Sequence, residues 1–185
     1  AVTRLARNVT RWSAYDDVQL HHLFAYLATG GREQVLQGVM QEGDASELYI
    51  RAWVDADLAG DDSSSKSTSG WFIEVVSQDQ SRSFPIAWCS RRQTCTSTST
   101  PEAEIVALAA CLRESALPLA DLASALIGRP LRVEICEDCA PAIDAISKGW
   151  SMAMRCLERS HRVALGLLQD VVNTPGDHRF GQVNI

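Results

Sequence analysis

Hydrophobic positions change their spacing twice along the chain, and the changes divide it. Over residues 1–29 they recur at helical intervals. Val2, Leu5, Ala6 and Val9 form one stripe, and Val18, Leu20, Leu23, Phe24 and Leu27 form another, which Gly30-Gly31 ends. A polar turn at 41–47, with Gly43 inside it, marks a boundary. The expectation is a helical segment over 1–45 and a separate domain over 46–185.

Beyond that turn the spacing becomes that of strands. Residues 48–54 alternate and are β-branched or aromatic at several places, ending at Asp55. A loop rich in Asp and Ser follows at 60–70. Residues 71–76 and 84–90 read as two more strands joined by a polar, hairpin-like link. A Ser/Thr run at 94–100 leads to Pro101, so Thr100 is the predicted N-cap with proline at the first helical position. That helix is expected to reach about Leu117, with a kink or break at Pro118 and apolar character continuing to Ile127. Residues 131–136 predict a fourth strand, 141–146 and 155–172 further helices, and 181–185 the start of a last strand. This order predicts an α/β domain in which helices pack on a mixed sheet. There is no internal repeat.

Composition narrows the function classes. Hydrophobic residues make up 46% and charged residues 22%, the balance of a globular chain able to bury a core. Lys and Arg number 17 against 23 Asp and Glu, a net charge of −6, which excludes the generic basic nucleic-acid binder. An acidic site that collects divalent metal stays open. No apolar run approaches the roughly 18 residues of a membrane span; the richest, 105–127, is broken by Arg113, Glu114, Pro118 and Asp121. There is no secretory apolar region at the start, and the chain begins at Ala1, so a processed product or a piece of a longer chain is expected. Arg4, Arg7 and Arg11 without acids have the flavour of an organellar transit peptide; a solvated helix face is the reading adopted.

Six cysteines, Cys89, Cys95, Cys111, Cys136, Cys139 and Cys156, sit among apolar neighbours. A core of this size needs no disulfide framework, so reduced and mostly buried thiols in an intracellular, reducing compartment are expected, cytoplasmic, nuclear or organellar. Cys136 and Cys139 enclose Glu137 and Asp138, acids that oppose the thiolate a redox pair needs. His21 and His22 have no carboxylate at metal spacing and read as packing or surface residues.

Three acids stand where the chain enters or leaves the sheet. Asp55 closes the first strand and Asp138 follows the fourth. Glu104, in the first turn of the long helix, lies in line with Leu108 and Cys111 on the sheet-facing side, while Glu102 points elsewhere. A buried acid is costly unless paired or metal-bound. Converging carboxylates repel one another, and hard, oxygen-ligated cations relieve the repulsion. Two Mg²⁺ ions held that way can activate water and stabilise the leaving oxygen of a phosphodiester. The alternative keeps the three unrelated: Asp55 in a turn, Asp138 as a helix N-cap, Glu104 favoured by the helix dipole.

A resemblance bears on that choice. Val54-Asp55-Ala56-Asp57-Leu58-Ala59-Gly60, followed by Lys66-Ser67-Thr68-Ser69-Gly70, resembles the opening of the RNase H domain in copia-type retrotransposon polyproteins. Ala87-Trp88-Cys89-Ser90-Arg91-Arg92-Gln93 resembles that family's third strand. Ser99-Thr100-Pro101-Glu102-Ala103-Glu104-Ile105-Val106-Ala107-Leu108 is similar to its S-S-T-E-A-E-Y-x-A-L helix start, and Glu137-Asp138 stands where it has its strand-four acid. Residues 1–27 resemble the family's reverse-transcriptase tail.

The resemblance implies an RNase H-like fold, a mixed five-stranded sheet flanked by helices and preceded by a short helical segment. It implies Asp55, Glu104 and Asp138 as catalytic, metal-binding acids and Mg²⁺, with Mn²⁺ as substitute, as the cofactor. The implied reaction is hydrolysis of the RNA strand of an RNA–DNA hybrid, with Lys66, Arg91 and Arg92 as candidate phosphate contacts. The family's fourth acid follows its last strand, so with a chain ending at Ile185 only three of the four are expected. The family's K-H-I-D-I stretch appears as Ser160-His161-Arg162-Val163-Ala164, keeping the histidine, here read as a surface or packing residue, and replacing the acid. Its usual tryptophan after the second Asp is Leu58. Two functions follow: a metal-dependent RNase H, or a non-catalytic fold used as a structural or protein-interaction module in a larger assembly.

Overall fold

The computed structural model describes residues 2–31, 36–41, 43, 48–60, 64–173 and 183–185. The chain forms two compact units, residues 1–37 and 38–185. The predicted boundary between 45 and 46 lies outside the described residues, as do most of the turn at 41–47 and residues 181 and 182 of the last predicted strand.

In the first unit the helical segment expected over 1–29 is two helices: α1, Val2–Arg7, and α2, Ala14–Tyr26, separated by a 3₁₀ turn at Val9–Arg11. The break has a local cause. The Ser13 hydroxyl accepts from the Asp16 N–H, and the Asp16 carboxylate accepts from the Ser13 N–H at 2.9 Å. This reciprocal cap gives the backbone a better end than continuation. Asn8 Nδ2 donates to the other Asp16 oxygen at 2.7 Å, which is how Asp16 is buried. His21 and His22 are exposed.

The second unit is built on a sheet with the order β3-β2-β1-β4-β5. Its strands are β1, Leu48–Ala56; β2, Thr68–Ser77; β3, Ser83–Arg92; β4, Val133–Cys136; and a two-residue β5, Val183–Asn184. β1, β2 and β3 are antiparallel neighbours, and β1, β4 and β5 run parallel. This mixed sheet with helices packed on it is the α/β architecture expected from the sequence. β1 runs two residues past its predicted end because its ladder with β2 continues to Ala56 opposite Ser69. Asp55 is therefore inside the strand, opposite Gly70, rather than closing it.

Alternation in β1 sends Ile50, Ala52, Val54 and Ala56 into the core with Trp71, Ile73, Val133 and Ile135. Over them lies α3, Thr100–Cys111, whose Ala103, Ile105, Ala107, Leu108 and Cys111 are buried. The cap of α3 is Ser99, not Thr100: Ser99 is extended and its hydroxyl accepts from the Glu102 N–H, while Thr100 is already helical. The break expected at Pro118 is a π turn, Leu112–Ala116, that leads into α4, Leu117–Ile127. Proline has no N–H for the preceding turn, and the widened turn accommodates that loss.

After β4 come α5, Ala140–Lys148; α6, Leu157–His161; and α7, Leu165–Asn173. The predicted helix over 155–172 thus splits at Arg162, which is left-handed with φ 57°. Val163 and Leu165 are both buried, and one straight helix points positions two apart to opposite sides. None of the six cysteines is in a disulfide, but of them only Cys111 is buried; Cys156 is exposed and the others are intermediate, correcting the expectation of mostly buried thiols. Among the described residues no helix is long and apolar enough to cross a membrane.

Candidate metal centre

The register Trp53–Cys136 between parallel β1 and β4 brings Asp55 and the loop after Cys136 to the same end of the sheet. The first turns of α3 pack on that end. One carboxylate oxygen from each of Asp55, Glu104 and Asp138 lies within 4.8 Å of the others. Asp55 and Asp138 are exposed, whereas Glu104 is 3% exposed. The three acids singled out in the sequence are therefore together. The account that keeps them unrelated loses its structural terms: Asp55 is in a strand, and Cys139, not Asp138, stands at the N-cap of α5.

Electrostatics at this point favour a cation. Burial, then the charges of Glu137, Asp55 and Asp138, push the Glu104 carboxyl up to about 8, and a hydrogen bond from the Ala56 N–H only partly opposes this. Glu104 Oε2 is buried with no hydrogen-bond partner. Among the described residues no lysine or arginine forms an ion pair with any of the three acids. An all-oxygen donor set, mutual repulsion and an orphaned buried oxygen fit a hard divalent ion such as Mg²⁺ or Mn²⁺. A cleft of about 480 Å³ opens beside the acids, lined by Trp53, Asp55, Gly70, Phe72, Glu137 and Asp138 among others.

Supporting residues that sequence reasoning missed surround the centre. Gln93 is buried just past β3. Its Nε2 donates to Ser69 Oγ at 3.0 Å and to the Ala103 carbonyl at 2.9 Å, and its Oε1 accepts from Ser97 Oγ at 2.8 Å. It thus ties β2 and the 93–97 loop to the residue before Glu104. Asp57, the second acid of the opening motif, accepts from the Thr68 N–H and closes the loop between β1 and β2. Glu102, expected to point elsewhere, is buried. It accepts from the Thr98 N–H at 2.7 Å and stands 3.5 Å from His161 Nε2. His161 is a packing residue, its side chain 1% exposed.

The three expected phosphate contacts have different surroundings. Arg91 makes two hydrogen bonds to Glu114, at 2.5 and 2.7 Å, and lies over the Trp71 ring at 5.2 Å. Lys66 Nζ donates to the Thr94 carbonyl. Arg92, the last residue of β3, is exposed.

No protein-family model matches the chain, and no curated protein does. Two solved structures are similar. One is a ribonuclease H1 from the halophilic archaeon Halobacterium salinarum NRC-1, with 20% identity over 74% of this chain and 83% of that one, at a TM-score of 0.43. The other is the N-terminal RNase H domain of a Mycobacterium tuberculosis protein, solved as a fusion with maltose binding protein, with 13% identity over 75% and 80% at 0.40.

Proposed function

We propose that this chain carries a metal-dependent ribonuclease H of copia-type retrotransposon origin that hydrolyses the RNA strand of RNA–DNA hybrids. In this reading residues 1–45 derive from the tail of a reverse transcriptase and 46–185 are the RNase H-like domain. The observation that carries the reading is the convergence of Asp55, Glu104 and Asp138, with Glu104 buried and its Oε2 unpartnered. Divalent ions bound there would supply an activated water and offset charge on the leaving oxygen. Asp55 and Asp138, exposed at the cleft, would hold the metal at its open side. Glu104, fixed by the Ala56 N–H and by the Gln93 tie on Ala103, would hold it from the buried side. Arg92, exposed at the end of β3, is the residue proposed to meet a phosphate, and contacts to the 2′-hydroxyl would distinguish RNA from DNA.

The test is cleavage of a labelled RNA–DNA hybrid in Mg²⁺ and Mn²⁺, with Asp55→Asn as control. Cleavage by the parent and not by the variant supports the reading; silence in both overturns it. A second reading, a non-catalytic interaction module, is favoured by one observation. Trp53, Phe72 and Trp88 pair in register across β1, β2 and β3, with Trp53 and Trp88 at 49% and 68% exposure. That reading expects no cleavage and no loss of function in Asp55→Asn.

A further inference from the structure

Asp138 has a neighbour of the same charge that the sequence pattern left without a role. Glu137 lies between the last residue of β4 and Asp138 and lines the same cleft as Asp55 and Asp138. Its Oε1 accepts from the Cys139 N–H at 3.0 Å, while its Oε2 is buried with no hydrogen-bond partner. Among the described residues no cation pairs with it.

Buried carboxylate oxygens are nearly always hydrogen-bonded, and an unpaired buried anion is costly. Glu137 Oε2, in the wall of the cleft, is such an oxygen, and Glu104 Oε2, in the trio itself, is a second. Cys139 holds one Glu137 oxygen, which fixes the carboxylate plane and leaves the other oxygen for something that is not a protein donor. We infer that Glu137 is a fourth carboxylate of the metal centre, a ligand flanking the Asp55–Glu104–Asp138 trio; this rests on the reading of the trio as a divalent-cation site. The trio alone satisfies the tightest spacing, and Glu137 lines the cleft beside Asp55 and Asp138.

Glu137→Gln separates this role from a purely structural one. The amide keeps the acceptor for the Cys139 N–H and the side-chain volume, and removes only the charge. The measurement is Mn²⁺ binding to the 185-residue chain, counted by electron paramagnetic resonance, beside the melting temperature with and without Mn²⁺. The expected result is Mn²⁺ affinity lower by about tenfold or more, a smaller metal-induced rise in melting temperature, and an unchanged or higher melting temperature without metal. Parent-like affinity and stoichiometry in Glu137→Gln would assign Glu137 to the loop alone and overturn the inference while leaving the trio intact. A parent that binds no Mn²⁺ would overturn the metal-centre reading and this inference with it. If the variant does not fold, the carboxyl-carbon resonance of Glu137 in the parent decides: it moves on adding Mg²⁺ if Glu137 is a ligand, and stays still if it is not.

Discussion

Arg91 and Glu114 clasp each other through two hydrogen bonds, one from each terminal guanidinium nitrogen, joining the end of β3 to the π turn between α3 and α4. The clasp sits over Trp71, whose indole N–H donates to Ser115 Oγ at 3.1 Å in the same turn. An arginine that looks from the sequence like a phosphate contact is thus occupied in fastening a helix to a sheet.

Arg91→Ala is therefore expected to act on stability rather than on substrate. Both partners are partly solvated, so the ion pair contributes no more than about 1 kcal/mol, and the melting temperature should fall by roughly 2–4 °C. The salt dependence of hybrid binding should be unchanged. A slope reduced by about one unit would instead return Arg91 to the phosphate role.

Glu104 predicts a pH dependence with a definite sign. Its carboxyl titrates near 8 in the fold against an ordinary value of 4.5, so between those values the folded state holds a proton that the unfolded state has lost. Stability of the metal-free chain should fall as pH rises from about 4.5 to about 8, and level off above that. Glu104→Gln should flatten much of this slope, and Mg²⁺ or Mn²⁺ should bind more tightly as pH rises through the same window. Denaturant titrations at pH 5, 6.5 and 8 read the effect; a slope that survives in Glu104→Gln would place its origin elsewhere.

Gln93→Leu removes one donor group and one acceptor that satisfy three buried partners, Ser69, Ser97 and the Ala103 carbonyl. Leaving a buried polar group unsatisfied costs about 1–3 kcal/mol. A loss in that range by urea unfolding, with weakened Mn²⁺ binding through the displaced start of α3, is the expected outcome. A variant as stable as the parent would show that the tie is replaceable by water.

Gly149 ends α5 with φ 72°, and a Cβ there would meet Gln169 Oε1 at 2.2 Å. That amide donates to the Ser147 carbonyl at 2.9 Å. Gly149→Ala should cost roughly 1–2 kcal/mol for the left-handed backbone, and more where Gln169 is displaced from Ser147. Thermal melts of the variant and of Gly149→Asn, which tolerates the conformation better, separate backbone strain from the steric clash.

Local chemistry made much of this protein legible in the sequence. The alternation of residues 48–54 and the apolar runs at 71–76 and 131–136 announced strands, because which residues face a core repeats every two positions whatever packs on it. The phase of Glu104 on its helix relative to Leu108 and Cys111 placed an acid on the buried side for the same reason. The resemblance of the segments around Asp55, Glu104 and Asp138 to one family then drew those three together. Errors of a residue or two, such as Thr100 for Ser99 as a cap, come from neighbours of equal propensity whose backbone angles the chain settles only on folding.

What tertiary structure alone decided are the properties that depend on neighbours distant in sequence. Arg91 is bound to Glu114 because β3 and the π turn meet, and nothing local to Arg91 announces it. Gln93 becomes a tie because it is buried where three segments join. Glu137 and Asp138 are adjacent acids in the sequence; burial singles out Glu137 as the one with an orphaned oxygen. Side-chain identity and period are carried by the chain itself, whereas desolvation and charge proximity are sums over everything nearby, and they take values only once the sheet and α3 have met.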